Sequence, residues 1–405
     1  MQPILIVGTI IFGGFLMGEL ATRVKLPKIT GYILAGILLN PAVFELIPSD
    51  FVNNTGLITK ISLSFITFSV GGTLAFPKLK ALGKSIVWIT ICEAEFAFLF
   101  ILVSFAFLVP LFIHFSGAAM ATVFLPFAFL SAALAAPTDP SATLAVEHEY
   151  HAKGEVTATV MGVAAFDDIL GIINYSIAVS VSGMLILSKP FGVNSVLVPF
   201  LTILGSIVWG IVAGFIFNKI TSFIRKESEG VLIVLIFGFL MLCYGIAELL
   251  DVDQLLATMS MGAVVVNYNP FQERIFGMIE RYTEELIFVL FFTLSAMHLD
   301  FSVLLSNAPL ILLFVVFRAL GKFAGTFVGA TASQSSIMVK KYTAGGLIPQ
   351  GGIVIGLALL LKQNTEFAAI SGILVNVIIG ATIIHEIIGP LFSKMALAKA
   401  GELEA

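Results

Sequence analysis

The sequence predicts an all-α, polytopic membrane protein of about thirteen spanning helices, and three observations predict it. The chain is too apolar for water: 59% of its 405 residues are hydrophobic and 11% are charged, and the mean hydropathy is +1.07. Soluble domains run near 45–50% apolar and about 25% charged, so a bilayer is the natural solvent. The apolar residues also fall into runs of spanning length, at 3–22, 29–47, 56–75, 85–110, 120–146, 155–182, 195–218, 230–250, 254–268, 282–299, 308–330, 343–362 and 367–392. Finally, the basic residues alternate between loops. With the N-terminus outside, the cytoplasmic loops and tail carry 16 Lys and Arg, from Arg23 to Lys399, against three outside, Lys60, Lys189 and Lys362. Such a bias is the positive-inside signature, and one span more or fewer would scramble it.

Each element has its own justification. The first run, Met1–Thr22, lacks a basic leading region, and Arg23 and Lys25 follow it, so it reads as an uncleaved span and not a signal peptide. The second and ninth runs are short. The net charge of −4 leaves no nucleic-acid footprint. Cys92 and Cys243 lie far apart in apolar runs and are expected to be unpaired. No phosphate loop or nucleophile elbow occurs, so neither enzyme chemistry nor a cofactor is expected.

An ionisable side chain at mid-membrane costs about 2.5–3.5 kcal/mol on insertion scales and is by default functional. Asp139 lies midway along the fifth run, Asp167 and Asp168 midway along the sixth, and Lys322 midway along the eleventh, with Arg318 one turn earlier. Similar depth places them in one cavity. The plain alternative is a set of ion pairs that only lock helices together. It accounts poorly for adjacent Asp167 and Asp168, whose side chains diverge by about 100° on a helix, so that one can pair with a base while the other faces a cation or a proton.

The fifth run reads Ala136-Pro137-Thr138-Asp139-Pro140-Ser141. Pro137 and Pro140 remove two backbone donors and clash with the carbonyls of Ala133 and Ala136, so the helix must break. The twelfth carries a matching lesion at Gly345-Gly346-Leu347-Ile348-Pro349-Gln350-Gly351-Gly352. Seven spans separate the two, so they run in opposite directions. Paired interrupted helices in inverted halves point to a transporter binding site, and Gln350 is a candidate polar lining residue. Glu93 and Glu95 in the fourth run are also intramembrane; either one pairs with Arg318 or they line a wet funnel. Glu147, His148, Glu149 and His151 read as a solvated loop, with pH sensing as the alternative. His385 and Glu386 read as a local polar pair with no transport role.

These residues resemble the monovalent cation/proton antiporter superfamily. The run from Leu26 to Pro41 looks like its second-helix signature, Phe166-Asp167-Asp168 like the Asp-Asp motif of the NapA/NhaA-like branch, and Arg318-Ala319-Leu320-Gly321-Lys322 like the lysine-bearing helix of that branch. Thr138-Asp139-Pro140 instead resembles the NhaP-like branch, which makes the signature mixed. The resemblance covers essentially the whole chain. It implies NhaA-like inverted repeats with two crossed broken helices: scaffold helices in 1–84 and 230–307, core helices in 85–182 and 308–393, a linker in 183–229, and a cytoplasmic tail in 394–405 with no regulatory domain after it. It further implies a homodimer in the inner membrane that exchanges Na+ (or Li+ or K+) for H+ and serves pH homeostasis. Asp168 and Asp139 would ligate Na+, helped by Thr138. Asp167 would pair with Lys322, and release of a second proton from Lys322 would make exchange electrogenic. A sodium-coupled organic-anion symporter, a potassium channel-like protein and a non-transporting scaffold are the competing readings.

Overall fold

A computed structural model describes residues 2–24, 28–44, 46–77, 83–112, 120–139, 143, 152–187, 193–223 and 229–403. All thirteen apolar runs are helical over at least part of their length. They give α1 (Pro3–Arg23), α2 (Lys28–Leu38), α3 (Gly56–Gly72), α4 (Lys84–Phe112), α5 (Leu125–Ala133), α6a (Glu155–Ala164), α6b (Asp167–Ile186), α7 (Val193–Phe223), α8 (Glu229–Leu249), α9 (Gln254–Tyr268), α10 (Glu284–Met297), α11 (Ala308–Ala332), α12a (Ile337–Gly346), α12b (Ile353–Gln363) and α13 (Ala368–Ala400). Among the described residues seven stretches, α6a–α6b counted as one, are long and apolar enough to cross a membrane, and α2, α3, α12b and Met120–Ala133 are shorter apolar helices. Among the described residues there is no β-strand, only one isolated antiparallel bridge between Thr138 and Gln350.

Two compact units emerge. The first holds Met1–Gly56, Leu82–Lys189 and Val289–Ala405, and the second holds Leu57–Ala81 and Pro190–Phe288. Within the second, Phe65, Phe68, Phe217, Leu240 and Met261 sit in one apolar core. There Lys60 at the start of α3 meets Glu248 at the end of α8 at 2.7 Å. Within the first, Ser85 at the start of α4 meets Ser335 after α11 at 2.5 Å. Glu402 in the tail caps α6a, accepting from the backbone N–H of Val156 and Thr157 at 2.8 Å each. All three contacts join segment ends that the loop-charge parity puts on the same side.

A stripe of glycines lays α11 against α4. A Cβ at Gly321 would lie 2.6 Å from Ala97 Cα, one at Gly325 2.3 Å from the Cys92 carbonyl oxygen, and one at Gly329 2.6 Å from the Trp88 oxygen. Small residues four apart let two backbones touch where lipid offers no hydrophobic drive to associate. This approach brings Lys322 to α4. Gly325→Val should therefore lower thermal stability in detergent, by about 1–3 kcal/mol for an overpacked contact. Gly238→Val, on α8 with nothing within 4 Å of the new Cβ, should leave it unchanged. Equal unfolding midpoints for the two variants would contradict the role of the stripe.

Candidate functional site

The site forms where two helices come apart. α5 stops at Ala133, four residues before Pro137, as the proline clash requires. Residues 347–352 likewise leave the helix between α12a and α12b. The freed backbones of the two breaks bond to each other: Asp139 N–H donates to the Pro349 oxygen at 3.3 Å, and Gly351 N–H to the Pro137 oxygen at 3.1 Å. Pro140, the second proline of the fifth run, lies outside the described residues, as do His148 and His151.

Arg318 holds this crossing together. Its guanidinium donates to the carbonyl oxygens of Ala135 (2.8 Å), Ile348 (2.6 Å), Pro137 (2.9 Å) and Pro349 (3.3 Å), two from each break. It is fully buried. A backbone released from helix at this depth needs donors from the protein, and a planar fork of five N–H groups can supply them where the point charge of a lysine cannot. Of the two alternatives open for Glu93 and Glu95, a pair with Arg318 is not formed; the guanidinium goes to backbone carbonyls.

Lys322, one turn further along α11, gathers the acids. Its ammonium donates to Glu93 Oε2 at 2.6 Å, to Thr138 Oγ1 at 2.8 Å and to Asp167 Oδ2 at 3.3 Å. The Thr138 hydroxyl in turn donates to Asp167 Oδ2, and the Thr138 N–H reaches Asp167 Oδ1 at 3.2 Å. Glu93, Asp167 and Lys322 have no solvent exposure. Asp167 is thus tied to the α5 break and to Lys322. The Thr138 hydroxyl is part of that network, accepting from Lys322 and donating to Asp167. Glu95 accepts from the Asn174 amide at 3.2 Å.

Asp168 is placed differently. The sixth run was expected as one helix with the acids midway along it, but residues 165–166 interrupt it and both acids open α6b. No proline or glycine marks that interruption; the acids themselves are the available signal, because carboxylates favour the positive end of a helix. Asp168 is half-buried. Its Oδ1 is enclosed and meets no donor among the described residues, and it lies 3.3 Å from where a Cβ on Gly351 would stand. It lies in the field of Asp167, Asp139 and Lys322.

α13 supplies two residues to which the sequence reading gave no role. His385 Nδ1 lies 2.9 Å from Gln350 Oε1, while the Gln350 amide donates to the Leu134 oxygen at 3.1 Å, so Gln350 spans both breaks. Glu386, buried completely, reaches Asp139. Both are ionisable residues inside an apolar run, the same signal that identified Asp168. Among the described residues no three His, Cys, Asp or Glu side chains gather as a closed metal cage, and both cysteines are free.

Comparison with known proteins agrees with this architecture. The sodium proton antiporter MjNhaP1 from Methanocaldococcus jannaschii, solved at pH 8, superposes with a TM-score of 0.76 over 98% of both chains at 21% identity. An electron-microscopy map of the same protein gives 0.72 over 100% of both chains at 22% identity. By sequence, the chain is 26% identical over 209 residues to Na(+)/H(+) antiporter 1 of Methanocaldococcus jannaschii; the match covers 51% of this chain and 45% of that relative, less than half its length. The family described as "Sodium/hydrogen exchanger, transmembrane" matches residues 7–399. With nearly its whole length matched, the chain belongs to the sodium/hydrogen exchanger family.

Proposed function

We propose that this protein is a secondary transporter, not an enzyme, that exchanges Na+, or another monovalent cation such as Li+ or K+, for protons by alternating access. One observation carries the reading: at the crossing of two broken helices, Asp167 is tied down by Lys322 and Thr138 while Asp168 keeps an enclosed oxygen that meets no donor among the described residues. A bare carboxylate in that setting is costly, so the site crosses the membrane only with a proton or a cation aboard. Asp168 is the exchanging group, and Asp139 and the Thr138 carbonyl add oxygens to the cation. Asp167, Lys322, Arg318, Pro137, Pro349 and Gln350 shape the crossing.

The mobile core is α4–α6 with α11–α13, and it slides against a scaffold of α1–α3 and α8–α10, with α7 as the linker. All core residues, 85–182 and 308–393, lie inside the first compact unit. That unit also contains α1 and α2, so compactness alone does not draw the line between moving parts. The protein sits in the inner membrane as a homodimer, with its N-terminus outside and C-terminus in the cytoplasm, and contributes to pH homeostasis.

Electrogenic exchange by release of a second proton requires Lys322 to lose its counter-charge when a cation takes Asp167. Glu93, at 2.6 Å, is a second and closer one. Lys322 therefore keeps a carboxylate beside it when a cation engages the site, and it has no cause to release its proton. The proposed stoichiometry is one proton, carried at Asp168, per cation. A sodium jump on a solid-supported membrane of proteoliposomes should show proton movement without sustained current. A steady current that disappears in Lys322→Gln would restore the lysine as a second proton carrier.

A further inference from the structure

We infer that Glu386 is a cation-coordinating residue, and that the Asp139–Glu386 carboxylate pair forms a station for the transported monovalent cation on the α13 side of the crossing. The inference rests on the exchange reading above and extends its site to a helix that the sequence left out of it.

Three observations converge on the pair. Glu386 is fully buried, and neither of its carboxylate oxygens meets a donor among the described residues. The group it does approach is another acid, Asp139, within hydrogen-bonding reach. The charge of Arg318 acts on Glu386 from nearby, but its guanidinium gives its hydrogen bonds to four backbone carbonyls and makes no ion pair with the acid. The neighbouring His385 has its Nδ1 engaged by Gln350, and its Nε2 meets no partner among the described residues.

Ionised carboxylates only accept hydrogen bonds, so two of them face to face need something positive between them. Carboxylate oxygens suit hard cations. Asp139 also lies within the field of Asp168, so a cation held by Asp139 and Glu386 stands next to the exchanging acid. Among the described residues no third His, Cys, Asp or Glu joins the pair; backbone oxygens and water complete the ligand shell of a cargo that must leave again.

The alternative is a buried acid that keeps its proton and donates it to Asp139 as a structural hydrogen bond. Glu386→Gln separates the two, because a glutamine amide preserves that hydrogen bond and the shape but removes the charge. Coordination predicts an apparent KM for Na+ raised about tenfold, the equivalent of about 1.4 kcal/mol, with kcat held within roughly twofold. It also predicts that the sodium-dependent rise in melting temperature in detergent moves to higher sodium concentration by the same factor. Wild-type KM and a wild-type sodium midpoint in Glu386→Gln would overturn the inference. Should that variant fail to fold, Glu386→Asp retains the charge but shortens the arm. It should shift KM and the order of preference among Li+, Na+ and K+, and an unchanged KM and order would equally overturn it. Asp168→Asn tells the two readings apart: an inactive Asp168→Asn beside an unaltered Glu386→Gln removes only the α13 station, whereas an active Asp168→Asn removes the exchange reading itself.

Discussion

Asp168→Asn is expected to reduce cation/proton exchange to the level of empty liposomes while leaving the protein folded and inserted. Asparagine has nearly the shape of aspartate but neither titrates nor carries charge, so it can trade neither a proton nor a cation. The fold should tolerate it, because Asp168 Oδ1 makes no hydrogen bond among the described residues and the anchoring contacts to α5 and α11 belong to Asp167. A monodisperse peak and a wild-type melting temperature, beside absent sodium-dependent proton movement, is the predicted pair of results. The same substitution at Asp167 should do the reverse to stability. It removes one of two counter-charges of Lys322 in a site without solvent; because Glu93 stays paired at 2.6 Å, the loss should fall below the about 3–5 kcal/mol of a buried charge left alone.

Arg318→Lys is expected to be the most destabilising conservative change in the chain. The guanidinium is the shared donor for both helix breaks. Pro137 and Pro349 would keep the backbone donors of Gly351 and Asp139, but Ala135 and Ile348 have no such second donor among the described residues. An orphaned buried carbonyl costs about 1–3 kcal/mol, and a lysine cannot reach four oxygens at once. A loss on the order of 3 kcal/mol or more follows for the two together, read as a large drop in melting temperature and in yield, with transport lost alongside. A variant as stable as wild type would mean that the crossing is held by its own backbone bonds and that Arg318 is dispensable.

The fold was legible because the bilayer writes it in composition. Runs of spanning length and the alternation of Lys and Arg among loops are consequences of the solvent, and they anticipated a helix for each run. The two breaks were legible for a local reason: Pro137 and Pro349 each remove a backbone donor and clash with the preceding turn, and α5 ends at Ala133 where the clash falls. The acids and bases of the site were legible because each is out of place in an apolar segment. Pairing was not. Which carboxylate meets Lys322 depends on how closely α11 approaches α4, which Gly321, Gly325 and Gly329 decide. Sequence offered Glu93 and Glu95 to Arg318, and geometry gave Glu93 to Lys322. The interruption before Asp167 carried no breaker residue. Glu386 carried the same signal as Asp168, but it was set aside because nothing in the sequence shows that α13 passes the helix 5 break.

The central claim is that cation and proton movements are coupled through one site. The direct measurement is uptake of labelled sodium into proteoliposomes holding the purified protein, with membrane potential clamped and an imposed pH gradient, acid inside. The account predicts sodium accumulation above the outside concentration while the gradient lasts, reversal when the gradient is reversed, and no accumulation by Asp168→Asn. Sodium that merely equilibrates across the membrane at the same rate whatever the pH gradient would contradict it and mark the protein as a cation channel.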